Sequence, residues 1–455
     1  MTIRTGSFAF KIIRGTSFSF TDIVIDEITT AVEVIGDVSN LFFNQFRTTN
    51  TTGTGIKGTP GQSLVVESCE FLSPTGISFN VPRENAWNLN VSNSLFDGGS
   101  VGESGIFVST TEEAHLFITN TSFSNYNHLV NENTPGLEII STSFLSTLSV
   151  SACLFSNPKT LGGFIYANGL GSLSIDGCSF QNSSGSVNSQ ALGVYAAYVL
   201  TVTITNSIFS NLKSQPYNEQ TGAVYVDSGN RSVTVNISDS LFSNNYGFIA
   251  GAVYVAGTVV LSINNCDFTG NSGFYAAAIY SEGVLNVTNS SFEENYAISC
   301  GALYCKGAAT VDSSTFANNG AANYGGGICA ENSNLFLIDV IFDSNISEYL
   351  GGAIKIDSCN VTLNQIEFLN NVAYSDGGGM FTNLSNLYIL STSFVANSAV
   401  HHGGGFYCNG STIELADSFF DANTASYGSA YYCSGCSVNS TFITVDPNNN
   451  ISCTP

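Results

Sequence analysis

The motif Phe-x-x-Asn recurs at 242/245, 268/271, 292/295, 316/319, 342/345, 368/371, 394/397 and 420/423, in steps of 24 or 26 residues. Eight copies at so narrow a period restrict the chain to a stacked-repeat architecture, where each repeat buries its apolar face only against its neighbours. Relaxing the template to L-x-[VI]-x-x-[STC]-x-F extends it upstream to Phe71, Phe96, Phe123, Phe155, Phe180 and Phe209, giving fourteen rungs between Leu64 and Asn423. The longest steps, 32 residues from Phe123 to Phe155 and 33 from Phe209 to Phe242, read as loops bulging from regular turns.

Each rung is too short for helices, because Gly and β-branched residues recur within every dozen positions. It does parse as strands: Leu261-Ser262-Ile263 alternates, Asn264 and Asn265 bend the chain, and Cys266 and Phe268 point inward again. A rung of two or three strands repeated in register is one coil of a parallel β-helix. Coils stack at ~4.8 Å, so fourteen of them predict a rod about 65 Å long. The Phe residues fill the core. The Asn at the following bend is expected to take an unusual backbone conformation and bond its amide to neighbouring coils. The Gly351-Gly352 pair permits another sharp bend. A column of eight Asn reads as architecture, since catalysis needs one site. The expected domains are an irregular β region or cap over 1–60, the parallel β-helix over 61–435, and a tail or cap over 436–455.

Net charge is −23, from 11 Lys and Arg against 34 Asp and Glu, although only 10% of residues are charged. That surface repels phosphate backbones and anionic lipid heads, which argues against nucleic-acid and membrane-surface partners. No stretch approaches the ~20 apolar residues that cross a bilayer. The opening MTIRTGSFAFKIIRGTSFSF lacks the apolar core and cleavage site of a secretory leader. The chain is then a fragment, a processed product, an incomplete gene model, or a protein that stays in the cell.

Alternation assigns facing along the GGAIY-type strand. Tyr166, Tyr195, Tyr225, Tyr254, Tyr280 and Tyr304 form one outward column, which Lys355 shares further on. Two readings compete for it: aromatic neighbours that stabilise a sheet beneath a covering loop, or an exposed binding strip. The best catalytic candidates are Lys306, Glu331, Lys355 and Asp357, on successive coils with Glu282 nearby. They fit a polyuronate lyase or a hydrolase, or equally a charge column of alternating sign. His401-His402 point apart in a strand, and neither a metal nor a cofactor is expected.

Twelve Cys are present; Cys153 and Cys178 share a template position in neighbouring coils, as do Cys408 and Cys433. Cα atoms stacked ~4.8 Å apart suit either disulfides or a ladder of free thiols. Fourteen N-x-[ST] sequons, among them Asn90, Asn236, Asn286, Asn345 and Asn409, are close to chance in so polar a chain.

The paired motifs, with GGAI intact at 351–354 and Phe-x-x-Asn throughout, resemble the polymorphic membrane protein repeat of chlamydial autotransporters and protist (trichomonad-like) surface families, over about residues 150–435. The resemblance implies a right-handed parallel β-helix of the pectate-lyase-like type, exposed at the cell surface or secreted. It also implies adhesion to a host-cell protein or glycan. One departure is the lack of a train of ten-residue alternating strands at the C-terminus, the mark of an autotransporter barrel. Three functions follow, in order: a non-catalytic surface adhesin or display protein; a polysaccharide lyase or glycoside hydrolase; a structural spacer.

Overall fold

The computed structural model describes residues 2–35, 38–49, 52–58, 62–72, 75–81, 86–98, 104–125, 136–156, 163–184, 193–214 and 222–454. Every candidate site residue lies within them; the expected domain border at 60/61 lies outside. Regular structure among the described residues is β alone. The chain forms two compact units, residues 1–235 and 236–455, and each is a parallel β-solenoid.

The first unit opens with long strands, Thr2–Ile12, Gly15–Val34 and Val38–Thr49. They pair in parallel, with Thr2 beside Val24 and Gly15 beside Val38, and Asn40 pairs onward with Ser63. The described strands of residues 2–49 are therefore part of the parallel ladder. Further along, coils settle into three strands. Ile165–Asn168, Ser172–Asp176 and Ser179–Ser184 stack on Val194–Ala197, Thr201–Thr205 and Ile208–Lys213. Apolar and polar residues alternate along each strand, so one face of the pleat fills the interior. Phe71, Phe96, Phe123, Phe155, Phe180 and Phe209 stack there as near-parallel rings 4.5–5.1 Å apart.

The second unit adds a fourth, two-residue strand. A representative coil has Val253–Ala256, Val259–Asn264, Asp267–Thr269 and Ser272–Gly273, stacked on Ile279–Ser281, Val284–Thr288, Ser291–Glu293 and Tyr296–Ala297. Its phenylalanines, Phe242 to Phe420, stack at 4.6–5.2 Å. The segment expected as a tail continues the stack: Ser437–Thr441 pairs with Thr412–Ala416, and Ile451–Thr454 with Tyr431–Ser434.

Single left-handed residues make the corners. Asn93, Asn120, Asn206, Asp239, Asn265 and Asn289, with φ near +50°, turn the second strand of their coils into the Phe strand. Asn and Asp tolerate this region better than other L-residues. At the Phe-x-x-Asn corner the left-handed residue is not the repeated Asn but the one before it: Asn244, Gly270, Glu294, Asn318, Ser344, Asn370, Ala396 and Ala422. Except at Gly270, the turning residue points its own side chain away from the interior, and the Asn that follows directs its amide inward.

The amide expectation holds. Asn319 is fully buried; its Nδ2 donates to Asn345 Oδ1 (3.0 Å) and to the Phe292 carbonyl (2.9 Å). Its Oδ1 accepts the backbone N–H and the Nδ2 of Asn295, both at 3.0 Å. The same pattern runs from Asn245 to Asn423 and ends on Asn449, a member 26 residues after Asn423 that has no Phe three places before it. Gly351, Gly377 and Gly403 (φ +66°, +72° and +65°) form the other bend.

Candidate functional site

The tyrosine column exists in register, but its exposure differs between the units. In the first, Tyr166 pairs with Tyr195 and Tyr195 with Tyr225. All three are half-buried, with ring centroids 5.2 and 5.1 Å apart. Burial, then the neighbouring Tyr225 and Tyr166, pushes the Tyr195 hydroxyl well above its ordinary range.

In the second unit Tyr254, Tyr280 and Tyr304 also stack in register, yet Tyr280 is 5% exposed and Tyr304 8%. Of the two readings of the column, the covered one describes this unit, and the exposed strip is not found at Tyr280 and Tyr304. The chain between the Asn corner and the Gly bend folds back over the outer face of the tyrosine strand. Parallel bridges run along this covering segment from Ala250 through Ala276, Cys300, Tyr324, Leu350 and Asp376 to His402. Ala250, Ala276 and Cys300 close a second apolar core around Tyr280, Tyr304 and Cys329, with Tyr254 at its edge. The Cys300–Cys329 disulfide joins cover to strand (Cα–Cα 5.8 Å).

Lys355 follows the same pattern. It points outward in the pleat, beside Cys329 and Phe381, but is buried at 7% exposure. Its Nζ meets Glu331 Oε1 at 2.8 Å and Asp357 Oδ2 at 3.3 Å, and lies 5.5 Å from the Tyr324 ring centroid. Tyr304 donates its hydroxyl to Glu331 Oε2 at 2.7 Å. Burial works to raise the Glu331 pKa, but the hydrogen bonds from Lys355 and Tyr304 outweigh it, and the net shift is downward. Asp357 is also lowered: burial opposes, while Asn383 and Lys355 prevail. Lys306 lies 5.3 Å from the Tyr280 ring centroid, so it stands one step apart from this network. Glu331, Lys355 and Asp357 are brought together, each with its charge already answered by a neighbour. That is the geometry of a fastening ion-pair network; a hydrolase pair flanks open space for a substrate.

Asp376 Oδ1 lies 2.7 Å from His402 Nδ1, and the His402 ring packs 4.5 Å from Tyr432 and 5.5 Å from Tyr427, while His401 is exposed. No group of three or more His, Cys, Asp or Glu side chains able to hold a metal occurs among the described residues.

The cysteines divide: the Cys408–Cys433 bridge is replaced by another, and Cys153 and Cys178 follow the free-thiol alternative. Cys408 stacks on Cys433 in register, but it is bridged to Cys436 instead (Cα–Cα 6.4 Å). Cys153 and Cys178 are free thiols, and their hydrogen bonds give the reason. The Cys153 backbone N–H donates to Cys178 Sγ (3.4 Å), while Cys153 Sγ donates to the Ser151 carbonyl (3.1 Å). Ser207, Ser240 and Ser290 do the same with their hydroxyls, each donating to the carbonyl two residues back. The thiols act as serines in a corner ladder. In that position burial pushes Cys69 and Cys266 up to about 11, which makes them poor nucleophiles.

Two features escaped the sequence reading. One is a set of apolar side chains on the covering segment, Tyr275, Ile298, Tyr349, Tyr374, Val400 and Tyr427, which stand at neighbouring positions of several coils and are each 40–60% exposed. The other is an outer column on the second strand, where Phe336, Thr362, Tyr388 and Glu414 lie in register. Alternation in NLFLI, NVTLN and NLYIL was the available signal for the column.

A family model for the right handed beta helix region matches residues 75–258. A second, the Chlamydia polymorphic membrane protein repeat, matches residues 313–331, the coil that holds Phe316, Asn319 and the Gly325-Gly326-Gly327 bend. No curated protein and no solved structure matches the chain. The chain is thus similar to the right handed β-helices and, in one coil, to a repeat of surface-associated membrane proteins. No helix among the described residues is long and apolar enough to cross a membrane.

Proposed function

We propose that the chain is a non-catalytic adhesin or display protein, exposed at a cell surface or secreted, whose partner is a host-cell protein or glycan. The observation that supports this reading is the set Tyr275, Ile298, Tyr349, Tyr374, Val400 and Tyr427. Exposed apolar side chains on one segment of several coils suit an interaction surface, and here they ride on a segment fastened by backbone bridges and a disulfide. Rigid presentation lowers the entropic cost of binding. The half-exposed Tyr166, Tyr195 and Tyr225 offer a smaller surface of the same kind in the first unit. In a secreted chain, glycosylation fits exposed sequons such as Asn90 and Asn236, while Asn345 is fully buried in the amide ladder.

The test is attachment to host cells by the triple variant Tyr349→Ser, Tyr374→Ser, Tyr427→Ser. Because these rings are exposed, melting should stay unchanged while attachment per folded molecule collapses. Undiminished attachment would overturn the reading. So would release of reducing ends or unsaturated uronate from a panel of polysaccharides.

A further inference from the structure

We infer that the second unit carries a carbohydrate cleft between the rings of Phe336 and Tyr388, sized for one neutral pyranose. The cleft goes beyond the adhesin reading, because it lies on a different strand from the Tyr349 and Tyr374 set and stands or falls separately.

Its walls come from strand register. Phe336 pairs with Thr362 and Thr362 with Tyr388, so a short side chain separates two aromatic ones on the outer face. Phe336 and Tyr388 are 44% and 43% exposed, and the gap is a cavity of about 230 Å³. Coils rise ~4.8 Å each, so rings two coils apart stand roughly 9.6 Å from one another. One further ring fits midway, at the spacing the interior phenylalanines use. The carbon–hydrogen faces of a pyranose present apolar surface on both sides and suit two aromatic walls.

The rim is polar and has spare capacity. Asn386 Nδ2 donates to Asn360 Oδ1, and Asn360 Nδ2 to Asn334 Oδ1, each at 3.1 Å. An amide nitrogen carries two hydrogens, so Asn360 and Asn386 each keep one N–H for a ligand. Glu414 borders the cleft on the next coil as an exposed carboxylate acceptor. Donors and an acceptor beside apolar walls match the hydroxyl rim and apolar face of a sugar. With Glu414 at the border and a net charge of −23, the cleft selects against uronates and sulfated sugars.

Asn360-Val361-Thr362 is itself a sequon, so the sugar has two sources: a free glycan, or one attached at Asn360. Protein made in bacteria, free of N-glycans, is titrated with neutral and uronate-containing oligosaccharides and read by saturation-transfer NMR. Transfer to ring protons of a neutral hexose or N-acetylhexosamine, and not to uronates, is expected. Thr362→Tyr fills the slot with a third stacked ring; it should weaken binding by about tenfold or more, as loss of an aromatic anchor does, and leave melting unchanged. Tyr388→Ser should weaken it likewise. Absence of transfer to every neutral sugar, binding untouched by Thr362→Tyr, or preference for an aromatic peptide would each overturn the inference. Protein from a glycosylating host separates the sources. A glycan found on Asn360 that blocks free oligosaccharide, with binding restored by Thr362→Val, identifies the attached source; an unmodified Asn360 with binding intact identifies the free one.

Discussion

The two units build the same interior from different corners. In both, phenylalanines stack about 5 Å apart at nearly parallel planes. Three residues beyond the Phe, however, the second unit places a buried Asn in every coil, whereas the first has Ser183 after Phe180 and Leu212 after Phe209. Ser183 Oγ is buried without a hydrogen-bond partner. Coil length follows. Phe-to-Phe steps are 24 or 26 residues through the second unit and range from 25 to 32 from Phe71 to Phe209 in the first. An amide that must meet the next amide at 3.0 Å leaves no room for an added residue at that corner. A serine or leucine imposes no such condition, and the first unit tolerates variable segments there.

Removing one amide should have the largest effect. Asn319→Ala strips partners from Asn295, from the Phe292 carbonyl and from Asn345. Leaving these buried groups unpaired should cost roughly 3–6 kcal/mol. Hydrogen exchange should rise in the coils on either side. Ser183→Ala, at the matching place in the first unit, should be neutral or slightly stabilising; a similar loss there would erase the contrast between the corners.

Phe155→Ala and Phe292→Ala should each cost about 3–5 kcal/mol through the cavity left behind, because both rings are fully buried between stacked neighbours. Denaturant titration of the two variants should agree. A much larger penalty in one unit would show that their interiors are not equivalent.

Reduction should act on one unit only. Cys300–Cys329 spans 29 residues, and opening a loop of that size costs about 3.6 kcal/mol on chain-entropy grounds. Both bridges found among the described residues lie in the second unit. Dithiothreitol or Cys300→Ser should therefore raise exchange in the covering segment and leave the first unit unaffected. Equal loosening of both units would refute this.

The smallest effect concerns acid. Glu331 has a folded pKa below the ordinary value of 4.5, so its contribution is complete above that value and fades as pH falls through the folded pKa. Glu331→Gln should flatten the acid side of the stability profile for the second unit by removing that contribution at pH 7, a modest loss for a group still partly open to water. An unchanged acid limb in the variant would show that the network with Lys355 and Tyr304 does not govern acid stability.

The columns of Phe, Leu and Tyr were legible because strand facing has a period of two and the coils repeat at nearly fixed length. Tyr280 and Lys355 do point outward in the pleat, as alternation requires. Their burial was not legible, because the cover over them has no alternation of its own: Phe-Ile-Ala, Ile-Ser-Cys and Ala-Asn-Tyr share a place but no chemistry. The disulfides were misjudged for the same reason. Register alone links Cys408 with Cys433, whereas Cys300–Cys329 joins two layers that the sequence does not show as layers. Asn449 was detectable by its spacing from Asn423, but its loop lacks the Phe that identified the other rungs.

The amide ladder also carries a direction. Each Asn in it could in principle turn its amide end for end, exchanging oxygen for nitrogen. A single reversal would set oxygen against oxygen on one side and nitrogen against nitrogen on the other, so the nine amides from Asn245 to Asn449 must choose together. The backbone makes the choice, because each Asn N–H also donates to the next Oδ1, as Asn345 N–H does to Asn371 Oδ1 at 3.0 Å. The dipoles consequently line up head to tail with the advance of the chain. A coil laid down first is left with its amide N–H groups waiting for an oxygen that only its successor supplies. The solenoid in this unit is thus templated in one sense, each finished turn specifying where the next asparagine must arrive.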